Sequence, residues 1–207
     1  MKVNNVKIYD FEESIVASGL PMMAEYDEKW IENEIELLKT TADIYENPHF
    51  KRACKLAANP AGSGHNNFLS GILISMDVTA SQVWWMQMER YHFVQIVSSQ
   101  SKMHRLRKMM ENGTFTYPSD VIDLSAFSDV MQRTGKLDDG TPMYSDEELA
   151  YRCPGGLELT ARITTNYLQL KTIYNQRKNH KLHEWVQFCD FVKSLPFAKE
   201  FIIGKEN

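Results

Sequence analysis

The stretch FLSGILISMDVT, Phe68 to Thr79, is the one whose reading decides the fold. Branched and apolar residues set between turn signals read as a buried strand. On its N-terminal side, Asn59-Pro60-Ala61-Gly62-Ser63-Gly64 is a loop signal that stops a short helix expected over Phe50 to Ala58. Further back, Trp30, Ile31, Ile35, Leu37 and Leu38 fall at helical spacing and predict a helix from Glu28 to Thr41. On the C-terminal side, Thr79 or Ser81 offers a hydroxyl to the free N–H groups of a first turn, predicting a helix through about Tyr91.

The rest of the chain supplies mainly helices. Ser98 to Met110 is assigned to neither period. Gly113 to Gly140, with Pro118, several aspartates and Val121, Leu124 and Phe127, reads as strand and loop. Ser145-Asp146-Glu147-Glu148 is a capping-box signature, and Cys153-Pro154-Gly155-Gly156 ends the short helix that it opens. A longer helix is expected from about Leu157 to Lys178 and another from Lys181 to Leu195, before Pro196. Strands in the middle with helices around them make the class α+β. No linker, repeat or low-complexity tract interrupts residues 1–207, so a single domain is expected.

Composition narrows the function classes. The chain is 43% hydrophobic and 24% charged with a net charge of −4, an ordinary globular balance. That mild acidity argues against nucleic-acid or membrane-surface binding by bulk charge. Cys54, Cys153 and Cys189 are odd in number and widely spaced, forming neither a disulfide framework nor a CxxC pair. No apolar run is long enough to span a bilayer, and Met1-Lys2-Val3 does not open a signal peptide, so a cytoplasmic protein is expected.

Three polar clusters need explaining. The first is Gly64-His65 at the mouth of the strand, where a histidine is either a satisfied structural residue or a ligand contact. The second runs from Gln87 through Arg90, Tyr91 and His92 to Ser98, Ser99, Gln100, Ser101, Lys102, His104 and Arg105. Cationic and hydroxyl side chains this dense suit an anion site, or else a solvated basic helix face. The third is Asn166, Arg177, His180, His183 and Glu184. Here His180-x-x-His183-Glu184 is not HExxH and no third ligand is placed by spacing, so no metal is expected. No cysteine has a local basic partner to activate it.

Taken in order, these clusters resemble the flavin-dependent thymidylate synthase (ThyX) family. His65 precedes Arg90 by 25 residues, and Gln87 lies three before it, as in the family. Downstream come Arg152-Cys153-Pro154, then Asn166, Arg177 eleven residues later, and His180-Lys181-Leu182-His183-Glu184. The match covers roughly residues 64–106 and 150–186. Departures are concentrated where the family reads its nucleotide. Arg90-Tyr91-His92 stands for Arg-His-Arg, Gln100 for a serine flanked here by Ser99 and Ser101, and Lys102 for an arginine. Val97 and Ser98 replace Asn and Glu, while Leu168 and Thr172 replace Arg and Asn.

The resemblance implies a central, mostly antiparallel sheet flanked by helices, with long C-terminal helices, assembled as a homotetramer. It implies FAD as cofactor, a pyrimidine nucleotide monophosphate (dUMP) as substrate, and NADPH and methylenetetrahydrofolate as co-substrates. The reaction would carry a one-carbon unit to C5 of the pyrimidine with hydride from reduced flavin. Carried over by position, His65, Arg90, His92, Asn166 and His180 would contact the flavin. Gln87, Gln100, Ser101, Lys102, Arg152 and Arg177 would serve the nucleotide, with Arg177, Ser101 and Lys102 catalytic. Three alternatives stay open: the same scaffold on another pyrimidine nucleotide or as a hydroxymethylase, a non-catalytic flavin- or nucleotide-binding relative, and a basic-helix interaction protein using Lys102 to Lys108.

Overall fold

The computed structural model describes residues 1–60 and 62–204. Its strands are β1 (Lys2–Tyr9), β2 (Leu73–Ser81), β3 (Gln95–Ser99) and β4 (Glu158–Asn166). The α-helices are α1 (Phe11–Ala17), α2 (Glu28–Thr40), α3 (Pro48–Ala57), α4 (Gln82–Met88), α5 (Lys102–Glu111), α6 (Ser128–Gln132), α7 (Asp146–Arg152), α8 (Tyr167–Arg177) and α9 (His183–Lys193). This is an α+β fold with one antiparallel sheet in the order β1-β2-β4-β3.

β2 explains why the sheet forms. Ile74, Met76, Val78 and Ala80 alternate along it and are fully buried, the period-2 pattern of a strand with one face on a core. The residues between them meet β4: Ser75 Oγ lies 3.0 Å from Thr164 Oγ1, Arg162 Nη1 donates to Asp77 Oδ1 at 3.1 Å, and Thr79 Oγ1 lies 2.7 Å from Thr160 Oγ1. Those three pairs step in opposite directions along the two strands, which fixes an antiparallel register. The Asn5 amide first, and then Arg162, hold the Asp77 carboxyl below its ordinary range.

The chain divides into two compact units. One comprises Met1–Asn5 and Met76–Ile163; the other comprises Val6–Ser75 and the chain from Thr164 onward. In the first, Trp84 is fully buried beside Trp85, their rings 4.9 Å apart and nearly perpendicular. A second cluster in that unit gathers Leu106, Met109, Met110, Phe115, Phe127 and Leu149. In the second unit, Phe50, Phe197 and Phe201 pack edge-on and tilted, with centroids 4.9 to 6.3 Å apart, above Tyr167 and the buried face of α8. Each fully buried ring contributes about 2–3 kcal/mol of transfer free energy.

Three expected elements are corrected. The helix expected from Leu157 to Lys178 is β4 followed by α8. β-Branched Thr160, Ile163, Thr164 and Thr165 favour the pleated strand. The Asn166 side chain then accepts from Gln169 N at 2.8 Å and starts the helix. The strand expected within Gly113 to Gly140 is absent; a 3₁₀ turn (Leu124–Phe127), α6 and a single bridge between Lys136 and Pro142 stand there. The strand expected from Phe68 begins later, because Asn67–Ser70 form a 3₁₀ turn. The capping box is present, with Ser145 Oγ accepting from Glu148 N and Glu148 Oε2 accepting from Ser145 N.

Candidate functional site

In the first unit the site is built around α4. Ser81 Oγ accepts from Trp84 N at 3.2 Å, so the helix begins at Gln82 with its side chain beside the start of α5. Lys102 Nζ donates to Gln82 Oε1 at 3.0 Å. An ammonium can only donate, so this contact fixes which way the amide points. Gln82 Nε2 therefore faces away from Lys102, and it is buried with no acceptor among the described residues. A buried donor without a partner costs about 1–3 kcal/mol, and its usual explanation is a ligand or water that supplies the acceptor.

Gln82 also lines a cavity of about 210 Å³ whose other walls are Trp85, Met86, Glu89, Ile96, Ser99, Gln100, Leu159 and Ala161. Trp85 is held as a wall by its own hydrogen bond, Nε1 to Leu159 O at 3.0 Å. Gln100 is clamped onto β4: its backbone N donates to Thr160 O at 2.9 Å, and its Oε1 accepts from Thr160 N at 2.8 Å. The volume lies below the roughly 300 Å³ that a drug-sized ligand needs. It suits one flat ring with a carbonyl acceptor, held between apolar walls.

The other expected residues of this unit surround the same helices. Ser101 caps α5, its Oγ accepting from His104 N at 3.3 Å. Gln87 is half-buried near the end of α4, and Arg90 is exposed in the turn that follows. His92 lines a separate, open groove of about 460 Å³ with Met88, Glu89, Val94, Gln95 and Ile96. Tyr91, which stands where the family has histidine, is buried at 7% exposure. Arg152 lies at the end of α7, its guanidinium 3.9 Å from Asp129 and 6.0 Å from the Tyr144 ring centre.

In the second unit α8 orders the candidates. Asn166 caps its first turn and Arg177 is its last residue, which puts them about 16 Å apart along the axis. The Arg177 guanidinium sits 4.8 Å from the centre of the Trp185 ring, a cation–π geometry. His180 lies 6.4 Å from the same ring, and its Nδ1 accepts from Leu182 N at 3.0 Å. In the neutral imidazole that leaves Nε2–H as the donor. His180 precedes α9, so it does not share a helix face with His183. His65 is exposed in the loop before β2. The next residue, Asn66, is fully buried; its Nδ2 donates to Asn59 O and Pro60 O, and its Oδ1 has no partner among the described residues.

The thiols are set apart from this chemistry. Burial pushes Cys54, Cys153 and Cys189 each up to about 11, with the Glu200 carboxylate adding to the effect at Cys54. About one thiol in a thousand is then ionised at pH 8. Iodoacetamide is expected to label half-buried Cys54 alone, slowly, and about tenfold faster per pH unit. Mass spectrometry that finds fast labelling of all three at pH 8 contradicts the burial.

Sequence reasoning missed Gln82, Asn66 and Lys171, each of which carries a buried polar head. For Lys171 a signal existed, because it falls at a helical position shared with Tyr167, Leu170 and Tyr174. Among the described residues no group of three His, Cys, Asp or Glu side chains is placed to hold a metal ion, and no helix is long and apolar enough to cross a membrane.

No family model matches the sequence, and no curated protein does. Solved structures do. The chain is similar to the flavin dependent thymidylate synthase ThyX from Helicobacter pylori complexed with FAD and dUMP, with a TM-score of 0.64 at 11% identity over 98% of this chain and 97% of that one. A second structure, Thymidylate Synthase X (ThyX) from Helicobacter pylori with FAD and dUMP, gives a TM-score of 0.61 at 13% identity over the same shares. Across nearly its whole length, the chain has the fold of the flavin-dependent thymidylate synthases.

Proposed function

We propose that the protein is a flavin-dependent enzyme of the thymidylate synthase type, acting on dUMP. The observation that carries this is the ring-sized cavity that Gln82 lines, its amide donor buried with no acceptor among the described residues, in a fold whose solved examples are complexed with FAD and dUMP. A uracil ring offers carbonyl acceptors to Nε2 and apolar faces to Trp85, Ile96 and Leu159. A donor aimed at a ring oxygen stabilises negative charge that develops there when the ring reacts. Ser101 and Lys102, adjoining the cavity wall, would hold the nucleotide with Gln87 and Gln100, and the resemblance gives nucleotide roles to Arg152 and Arg177 as well.

The residues also fit FAD. Asn66 Oδ1 is a buried acceptor without a partner among the described residues, next to an exposed His65 that is free to meet a ring. By the resemblance, His65, Asn166 and His180 of the second unit, and Arg90 and His92 of the first, would each be cofactor contacts. Bound and reduced by NADPH, FAD supplies the hydride for a one-carbon transfer from methylenetetrahydrofolate to C5 of the pyrimidine. The reading includes a homotetramer working in the cytoplasm.

One observation favours a second reading. Gln100 stands where the family has serine, and its side-chain oxygen is spent on Thr160 N. A relative with altered base choice, a hydroxymethyl product, or binding without turnover is consistent with that commitment.

The test is an absorbance spectrum after adding FAD and desalting, followed by tritium release from C5-labelled dUMP with methylenetetrahydrofolate and NADPH. Retained flavin bands and released tritium are expected. Flavin retention without release moves the assignment to the second reading, and a colourless protein removes both.

A further inference from the structure

α8 buries Tyr167, Leu170, Lys171 and Tyr174 on one face. Three of these suit a core and the fourth is a lysine, 8% exposed. Its ammonium donates to the Ala57 carbonyl and, at 3.1 Å, to Asn59 O. Both partners are neutral, and among the described residues no carboxylate pairs with it. Two carbonyls do not return what the ammonium loses on leaving water. Burial accordingly pushes Lys171 below its ordinary value. A methionine would fill the same space without that penalty.

The two acceptors say what the charge holds. Ala57 is the last residue of α3, and Asn59 opens the loop that leads to His65. Asn59 O receives a second donor, Asn66 Nδ2 at 3.1 Å, which also reaches Pro60 O at 3.4 Å. Both ends of the 59–66 loop are thus tied at one carbonyl. Between them Pro60, Gly62, Ser63, Gly64 and His65 are exposed. Gly62 and Gly64 have φ of 86° and 79°, values that side chains disfavour. With the described residues between its ends exposed, the loop depends on its neck to place His65.

We propose that Lys171 is a positioning residue that clamps the neck of the 59–66 loop and thereby sets where His65 meets the cofactor. The second half of this proposal rests on the flavin reading of His65; the first does not.

The test compares wild type, Lys171→Met and Lys171→Gln by hydrogen exchange, thermal melting and FAD binding. In Lys171→Met, amides of residues 62–66 are expected to exchange about tenfold faster. The melting temperature is expected to hold or rise, because a buried charge has gone, and FAD binding is expected to weaken about fivefold. Lys171→Gln keeps one donor and is expected to fall between; it carries the comparison if the methionine variant does not fold. Unchanged exchange across 62–66 in both variants overturns the proposal. A lowered melting temperature with faster exchange throughout the unit overturns it too, since that marks a residue needed only for stability. If the wild type binds no FAD, the flavin reading of His65 falls, while the exchange comparison still decides for or against the clamp.

Discussion

Replacing Gln82 with leucine is expected to weaken dUMP binding by about ten- to a hundredfold, the range set by one buried hydrogen bond to a ring acceptor. The melting temperature is expected to move by no more than about 2–4 °C, equivalent to about 1 kcal/mol in a chain of this size. The two effects separate because the amide plays opposite parts in the free and bound states. Free, its Nε2 is a buried donor without an acceptor, so leucine removes a penalty. Lys102 loses the Gln82 oxygen, but it is half-buried and can turn to water. In the complex the same substitution leaves a ring carbonyl facing a methyl group. Gln82→Glu sharpens the test, since a carboxylate pairs with Lys102 and presents only acceptors to the ring. It is expected to disfavour dUMP and to shift preference toward dCMP, whose exocyclic amine can donate. Calorimetry showing equal dUMP affinity for wild type and Gln82→Leu sinks the assignment of this cavity.

What the sequence made legible follows from the range of the interactions involved. β2 was readable because alternation and turn signals are local, and the capping box because its partners are three residues apart. β4 was not. The helical spacing of Tyr167 to Tyr174 extended backwards over a strand whose buried face is Ala161, Ile163 and Thr165, with only one large apolar residue to show the period. Asn166 was singled out for chemistry, and it is also the cap that separates β4 from α8. Between Gly113 and Gly140, Val121, Leu124 and Phe127 recur every third residue, the 3₁₀ period, and the turn Leu124–Phe127 is what forms. The site divides along the same line. Ser101, Lys102 and Arg177 stand out as polar residue types within clusters and by position in the resemblance, although the helix that Ser101 caps was not read from the sequence. Gln82 and Lys171 gain their meaning from partners 20 and 112 residues away, which no window on the sequence contains.

Arg107→Ala is expected to cost about 3 kcal/mol, lowering the melting temperature by roughly 6–12 °C. The segment after α5 has little regular structure, so its position depends on what ties it down. The Arg107 guanidinium does this from within α5, with Nη1 donating to Thr134 O at 3.1 Å, Nη2 to Tyr144 O, and Nε to Asp146 Oδ1 at 2.8 Å. The ion pair is the lesser part, since Asp146 is 55% exposed and water screens it. The two carbonyl contacts matter more. They fix both ends of the turn that leads from α6 to α7, beside the cluster of Met109, Phe127, Val130 and Leu149. Alanine leaves those carbonyls without a charged donor and opens the cluster's rim, whereas Arg107→Lys reaches one acceptor and is expected to recover about half of the loss. Removing an exposed pair such as Lys51–Glu46, whose side chains are 49% and 75% exposed, is expected to change stability by less than about 0.5 kcal/mol. Denaturant unfolding that finds Arg107→Ala no more costly than Lys51→Ala contradicts the anchoring role. The apolar cluster would then hold the segment, with Phe115, Tyr117 and Phe127 at ring-centroid distances of 5.0 to 6.0 Å.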